Sequence, residues 1–181
     1  LQELISRKTV EKSALTLSLQ YLSLEHVSEV GGKAASIGEI CNRVHLPVPL
    51  GFAITAYSCY YFMHANSLYD QSERILKGLD IDDTERLLEC SREVAGQHSS
   101  VLGVKRDNII QAYKEVVAST FNPRAIYYRR SKGYPDEYVI MSVLCLNMVR
   151  ARASGVMYTR DPNNPARNVV MINAVWGLGV G

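Results

Sequence analysis

The sequence predicts an α+β protein. Helical periodicity dominates up to about residue 132, and from Tyr138 onward the apolar residues fall into strand-like runs. In the second half, helices are followed by an antiparallel set of strands rather than alternating with them, which argues against repeated βαβ units. With 47% apolar and 21% charged residues over 181 positions, the chain has enough apolar surface for a real core and is not of disordered composition.

Along the chain, residues 14–24 (ALTLSLQYLSL) alternate in places and read as a strand or strand pair. A turn is expected at Val30-Gly31-Gly32. The following KAASIGEICNRV is helical, with Ala34, Ile37, Cys41 and Val44 on one face. Pro47 and Pro49 cannot continue that helix. Phe52-Ala53-Ile54-Thr55 follows as a short buried strand, and residues 56–66 as an aromatic-rich helix.

Residues 70–94 divide into two helices near Gly78-Leu79-Asp80, with Ile75, Leu79, Leu87, Leu88 and Val94 inward and Asp82 or Asp83 as the second helix's cap. A further helix spans 106–120, with Ile109, Ile110, Tyr113, Val116 and Val117 inward. Another starts at Asn122-Pro123 and covers 123–132, proline being favoured at the first helical position. VIMSVLCLNMV, VMYT and NVVMINAV are the expected strands of an antiparallel sheet, with a turn at Asp161-Pro162-Asn163-Asn164-Pro165.

Composition excludes several classes. A net charge of +2 gives no basic patch for nucleic acid or a membrane surface. No apolar run approaches the length of a transmembrane helix, and the N-terminal LQELISRKTVEK lacks the apolar centre of a signal peptide. Cys41, Cys59, Cys90 and Cys145 form no CxxC pair and read as reduced thiols of a cytoplasmic protein. His26, His45, His64 and His98 have no partners at metal-ligand spacing and read as surface or packing residues.

Gly31-Gly32-Lys33 is the motif with chemistry in it. Glycines allow close backbone approach to a ligand, the start of a helix favours an anion, and a lysine adds a mobile charge. Taken alone the signal is weak, and a Gly-Gly turn beside a solvated lysine is the commoner explanation. It is not a Walker P-loop, because Ala34 follows the lysine and no glycine stands at the right distance upstream. The terminal Gly177-Leu178-Gly179-Val180-Gly181 follows a strand as a dinucleotide fingerprint would, but no helix or acidic residue completes it. Arg160-Asp161 is open to two readings, a capped turn or a contact near a nucleotide. Arg129-Arg130, Arg150 and Arg152 read as solvated faces.

Several segments together resemble the N-terminal ATP-binding domain of the phosphoenolpyruvate synthase and pyruvate phosphate dikinase family. They are VGGKAASIGE at 30–39, LPVPLGFAIT at 46–55, ASTFNPRA at 118–125, Met148-Val149 with SGVMYTRDP at 154–162, and NAVWGLG at 173–179. Five blocks in the family's order are far more specific than the glycine turn. The resemblance implies an ATP-grasp-like domain of two lobes, incomplete here, with residues 1–94 as the first lobe and 95–181 as the second part. It implies that Lys33 contacts nucleotide phosphate, that Gly31 and Gly32 let it approach, and that Arg160 lies near the nucleotide. The implied enzyme is a phosphotransferase of the pyruvate, water dikinase kind using ATP and Mg2+. It passes the β-phosphoryl group of ATP to a histidine on a separate swivelling domain and then to pyruvate on a barrel domain.

The chain also departs from that pattern. The family block resembling vAVRSSAxxEDxxxaSFAGQ is represented only by its end, Ala95-Gly96-Gln97, so some tens of residues are missing at 94/95. Either the residues given skip a mobile loop that covers the phosphates, or the protein has lost it. A second join is open at Gly179/Val180. Cys145-Leu146 stands where the family often has Val-Gln. The family's magnesium ligands correspond to positions beyond residue 181, and none of the four histidines can be the phosphohistidine. Two alternatives therefore stand beside the dikinase: a non-catalytic nucleotide-binding or regulatory relative, and a phosphotransferase with another acceptor, such as a glucan or an antibiotic.

Overall fold

Strand β2 (Gly51–Ile54) is central to the fold, and its alternating side chains decide what packs where. The computed structural model describes residues 13–95, 102–136, 139–164 and 166–179. Strand β2 pairs antiparallel with β1 (Thr16–Ser18) on one edge and with β3 (Val143–Leu146) on the other. The register sets Ala53 opposite Leu144, Phe52 opposite Cys145 and Ile54 opposite Val143. Ala53 and Leu144 turn to one face, where they meet Leu19, Leu22, Val30, Ala34 and Ala35. Phe52, Ile54, Val143 and Cys145 turn to the other, into a larger helical core.

Helix α1 (Val27–Asn42) covers the first face. Its far end is tied down by Asn42, whose amide donates to the carbonyls of Leu19 and Leu22 at 2.9 and 2.8 Å. Gly38 is needed there, because any Cβ would collide with Leu22.

The second face carries α2 (Ala56–Ala65), α3 (Leu68–Leu76), α4 (Thr84–Ala95), α5 (Ile109–Ala118) and α6 (Pro123–Ser131). Cys59, Met63, Leu76, Leu87, Cys90, Tyr113, Val117, Phe121 and Ile126 are buried among them. Three of these helices start at a capping side chain. Thr55 caps α2 through the Ser58 N–H at 3.2 Å, Asp83 caps α4 through Arg86 N–H at 3.0 Å, and Asn122 caps α6 through Ala125 N–H at 2.8 Å.

Two compact units result, one up to Leu146 and one from Asn147. The second is a hairpin of β4 (Ala153–Tyr158) and β5 (Met171–Trp176), in register from Ala153–Trp176 to Tyr158–Met171. Ser154 locks its open end, donating to the Gly177 carbonyl at 2.8 Å and accepting from Gly179 N–H at 2.5 Å.

The mixed helix and strand content agrees with the α+β expectation, and several details differ. Residues 14–24 give only the three-residue strand β1, followed by 3-10 turns at Leu19–Tyr21 and Leu24–His26. The run VIMSVLCLNMV yields only β3. That strand joins β2 from far earlier in the chain instead of β4 and β5, so the three expected strands are split between two sheets. Ile110, expected inward, is exposed, because the buried face of α5 is carried by Tyr113 and Val117. Leu88 is likewise exposed, and Leu87 and Cys90 face inward from α4.

Arg129 and Arg130 are the clearest correction, since they do not form a solvated face. Arg129 donates to Asp136 at 3.1 and 3.2 Å and to the Thr120 carbonyl, and it lies over the Phe121 ring. Arg130 donates to the other Asp136 oxygen at 2.8 Å, and to the Leu79 and Leu76 carbonyls at 2.9 and 2.7 Å. One carboxylate thus organises two guanidinium groups, and these fasten α6 to the end of α3.

Candidate functional site

The chain enters α1 through a reciprocal cap. Ser23 N–H donates to His26 Nδ1 at 3.1 Å, and Ser23 Oγ accepts from Glu25 N–H at 3.3 Å. His26, expected as a surface or packing histidine, thus takes part in the cap. Four residues into α1 the helix breaks. Gly31 has φ 74° and ψ 160°, so two helical segments, 27–30 and 32–42, meet across it. That backbone region is open essentially to glycine alone. A Cβ at Gly31 would also lie 2.8 Å from Ser142 Oγ, on the approach to β3. The backbone therefore requires glycine, and a larger residue would also have to displace the Ser142 hydroxyl.

Beyond the break, Ala34 and Ala35 are buried against the sheet while Gly32 and Lys33 face outward. A Cβ at Gly32 would meet nothing within 4 Å, so space is open beside the restarted helix. Lys33 is exposed and makes no hydrogen bond or ion pair with the described residues. The start of a helix carries partial positive charge on its leading N–H groups. An open backbone, that charge and an unpaired ammonium group share one bend, an arrangement suited to an anion.

Gly31, Gly32 and Lys33 are thus brought together. Arg160 lies in the second unit, exposed and just after β4. Its neighbour Asp161 is buried and committed to the turn, accepting from Asn163 N–H at 2.9 Å and Asn164 N–H at 3.3 Å, with Arg167 at 3.7 Å. The capped-turn reading therefore describes Asp161.

Two pockets of the first unit, of about 280 and 170 Å3, include none of the four candidate residues. The larger, lined by Ser28, Glu29, Thr55 and Tyr57 among others, borders the first segment of α1. Among the described residues, no three His, Cys, Asp or Glu side chains are grouped to hold a metal ion. The four cysteines are free, and burial raises the thiol pKa of Cys59 and of Cys145. The expected join at 94/95 falls at the end of α4. Gly96, Gln97 and His98 lie outside the described residues, as does the Val180 side of the join at Gly179.

Comparison with known proteins matches the family "Pyruvate phosphate dikinase, AMP/ATP-binding domain" in two pieces, residues 27–95 and 91–181. The chain belongs to that family. It is 30% identical over 215 residues to a "probable phosphoenolpyruvate synthase" of Staphylothermus marinus, covering 89% of this chain and 26% of that protein. A phosphoenolpyruvate synthase of Aquifex aeolicus is 31% identical over 229 residues, covering 94% of this chain and 27% of the relative. A rifampicin phosphotransferase of Bacillus cereus is 26% identical, covering 92% and 25%. The chain thus spans about a quarter of the length of these relatives. It corresponds to an ATP-binding domain of proteins that carry other domains as well.

The two family pieces meet at the expected join. The alignments of 215 and 229 residues are also longer than the whole 181-residue chain, so the relatives carry residues that this sequence lacks.

Proposed function

We propose that this chain is the ATP-binding part of a phosphoenolpyruvate-synthase-type dikinase, with Lys33 as its phosphate contact. The observation that carries the reading is the bend at Gly31. It places an unpaired lysine, an open glycine backbone and a helix start side by side within an AMP/ATP-binding family. Gly31 and Gly32 admit the phosphates and Lys33 neutralises their charge, and Arg160 is a separate candidate for a contact near the nucleotide. The domain is of ATP-grasp type, and residues 1–94 and 95–181 are its two parts.

In the complete protein the β-phosphoryl group passes from ATP to a histidine of a swivelling domain, then to pyruvate on a barrel domain. With water, the overall products are phosphoenolpyruvate, AMP and phosphate. The described residues do not fit a magnesium site, so no step is assigned to that ion here. Four free thiols agree with a cytoplasmic setting, and among the described residues no helix is long and apolar enough to cross a membrane.

A Lys33→Met variant tests the phosphate contact. Loss of a charge-assisted contact predicts roughly tenfold or weaker ATP binding by calorimetry. Unchanged affinity would remove Lys33 from the site. A second reading, a phosphotransferase with another acceptor, is favoured by the match to the rifampicin enzyme. AMP formation from ATP by the full-length protein, assayed with pyruvate and with rifampicin, separates the two. A non-catalytic relative is the outcome if ATP binds and neither acceptor yields AMP.

A further inference from the structure

We propose that the cleft at the end of α4 is the seat of the segment that the relatives carry between the two family pieces, and that the segment closes it with a large apolar side chain. The inference concerns how this domain is completed and does not rest on the nucleotide reading.

The cleft, of about 170 Å3, lies among α2, α3, α4 and α5 within the first unit. Met63, Val117 and Phe121, each 3% exposed, form its floor, and half-buried Phe62, Ile75 and Val94 are among its walls. This is room on the scale of the roughly 150 Å3 cavity that takes a benzene ring, so one aromatic or branched aliphatic side chain fits. Apolar walls left facing water are unfavourable, and covering them stabilises in proportion to the area removed. Glu93 and Lys114 also line the cleft, both exposed and neither in an ion pair with a described residue. An amphipathic segment, apolar toward the floor and charged at its margins, matches that arrangement.

The place of the cleft along the chain names its occupant. Glu93 and Val94 line it, and the family match changes from one piece to the other across residues 91–95. Alignments of 215 and 229 residues against a 181-residue chain show that the relatives hold additional residues. A segment entering after Val94 leaves directly from the cleft wall. That tether gives it a high effective concentration at this surface. The larger pocket of the first unit is lined only by residues between Ala14 and Tyr57 and has no such adjacency to the join.

The test is site-resolved thiol labelling of Ala118→Cys, on the cleft wall, and of Ile110→Cys, exposed on the same helix outside the cleft. Each is made in the chain as given and in a chain carrying, between Val94 and Ala95, the residues that the Aquifex aeolicus relative has between the two family pieces. Burying one large apolar side chain predicts roughly tenfold or greater protection of position 118 by the inserted segment, with position 110 unchanged. Equal labelling of position 118 with and without the segment overturns the inference, as does equal protection of both positions. Buried Cys59 and Cys90 report folding in the same experiment. If they label in the inserted chain, that chain is unfolded, and the segment is then added as a separate peptide to the chain as given. Selective protection of position 118 by saturating peptide supports the seat, and its absence overturns it.

Discussion

The bend of α1 and the fastening of α6 both place cations on a helix, and they use them in opposite ways. Arg129 and Arg130 are largely buried and saturated by one carboxylate, three carbonyls and an aromatic ring. Lys33 is exposed and has no partner among the described residues. Three cations of the same sign thus divide into two that hold the fold and one left available. A side chain whose bonding capacity is already met inside the protein has little to offer a ligand. The difference predicts that damage to the α6 fastening costs stability, whereas damage at the bend costs binding.

The largest expected effect is from Asp136→Ala. It leaves two guanidinium groups buried without their counter-ion and is expected to destabilise by about 3–5 kcal/mol, read from the urea midpoint. A loss below about 1 kcal/mol would mean that the carbonyl contacts alone suffice. Next is Gly31→Ala, which forces a side chain into a glycine-only conformation and against Ser142. A loss of about 1–3 kcal/mol is expected, together with weakened ATP binding, because the helix start moves. This variant tests whether the two regions are separable, since it alone should score in both assays. The smallest effect on stability belongs to Lys33→Met, within about 0.5 kcal/mol of wild type, because an exposed side chain without partners stabilises nothing.

An alkaline titration sharpens the same contrast in the helical core. Burial pushes the Tyr69 phenol up to about 12, and its hydroxyl donates to the Val139 carbonyl at 3.2 Å. Burial beside Cys59 raises Tyr113 as well, and its hydroxyl has no partner of hydrogen-bond geometry. Both groups have folded pKa values above the unfolded value of 10. Their contribution is fully present below pH 10 and is lost as pH rises through about 12 for Tyr69. Unfolding by urea should become easier across that window, and ultraviolet absorbance should show these two tyrosines ionising above the ordinary tyrosine value of 10. Ionisation of Tyr69 well below pH 12 would contradict its burial.

The parts legible in sequence are those with local causes. Asp83 and Asn122 cap helices because their side-chain oxygens reach N–H groups three residues on, and a reader needs only the neighbouring residues to see it. The Gly31 break was visible for the same reason, as was the family likeness carried by the blocks around it. What was illegible depends on partners distant in sequence. Strand β3 could as well have paired with β4 by its pattern, and only packing against α1 and the helices assigns it to β2. Arg129 and Arg130 looked solvated because Asp136 and the carbonyls of Leu76 and Leu79 leave no periodic trace.

The long reach of β3 also imposes an order on synthesis. Strand β2 emerges from the ribosome with one edge open, and the strand that closes it is made about ninety residues later. Until then both apolar faces around Ala53 and Ile54 lack one wall, and the bend at Gly31 has no Ser142 beside it. A nascent chain halted before Val143 would therefore present an unpaired edge to other chains, the situation in which chaperones are needed.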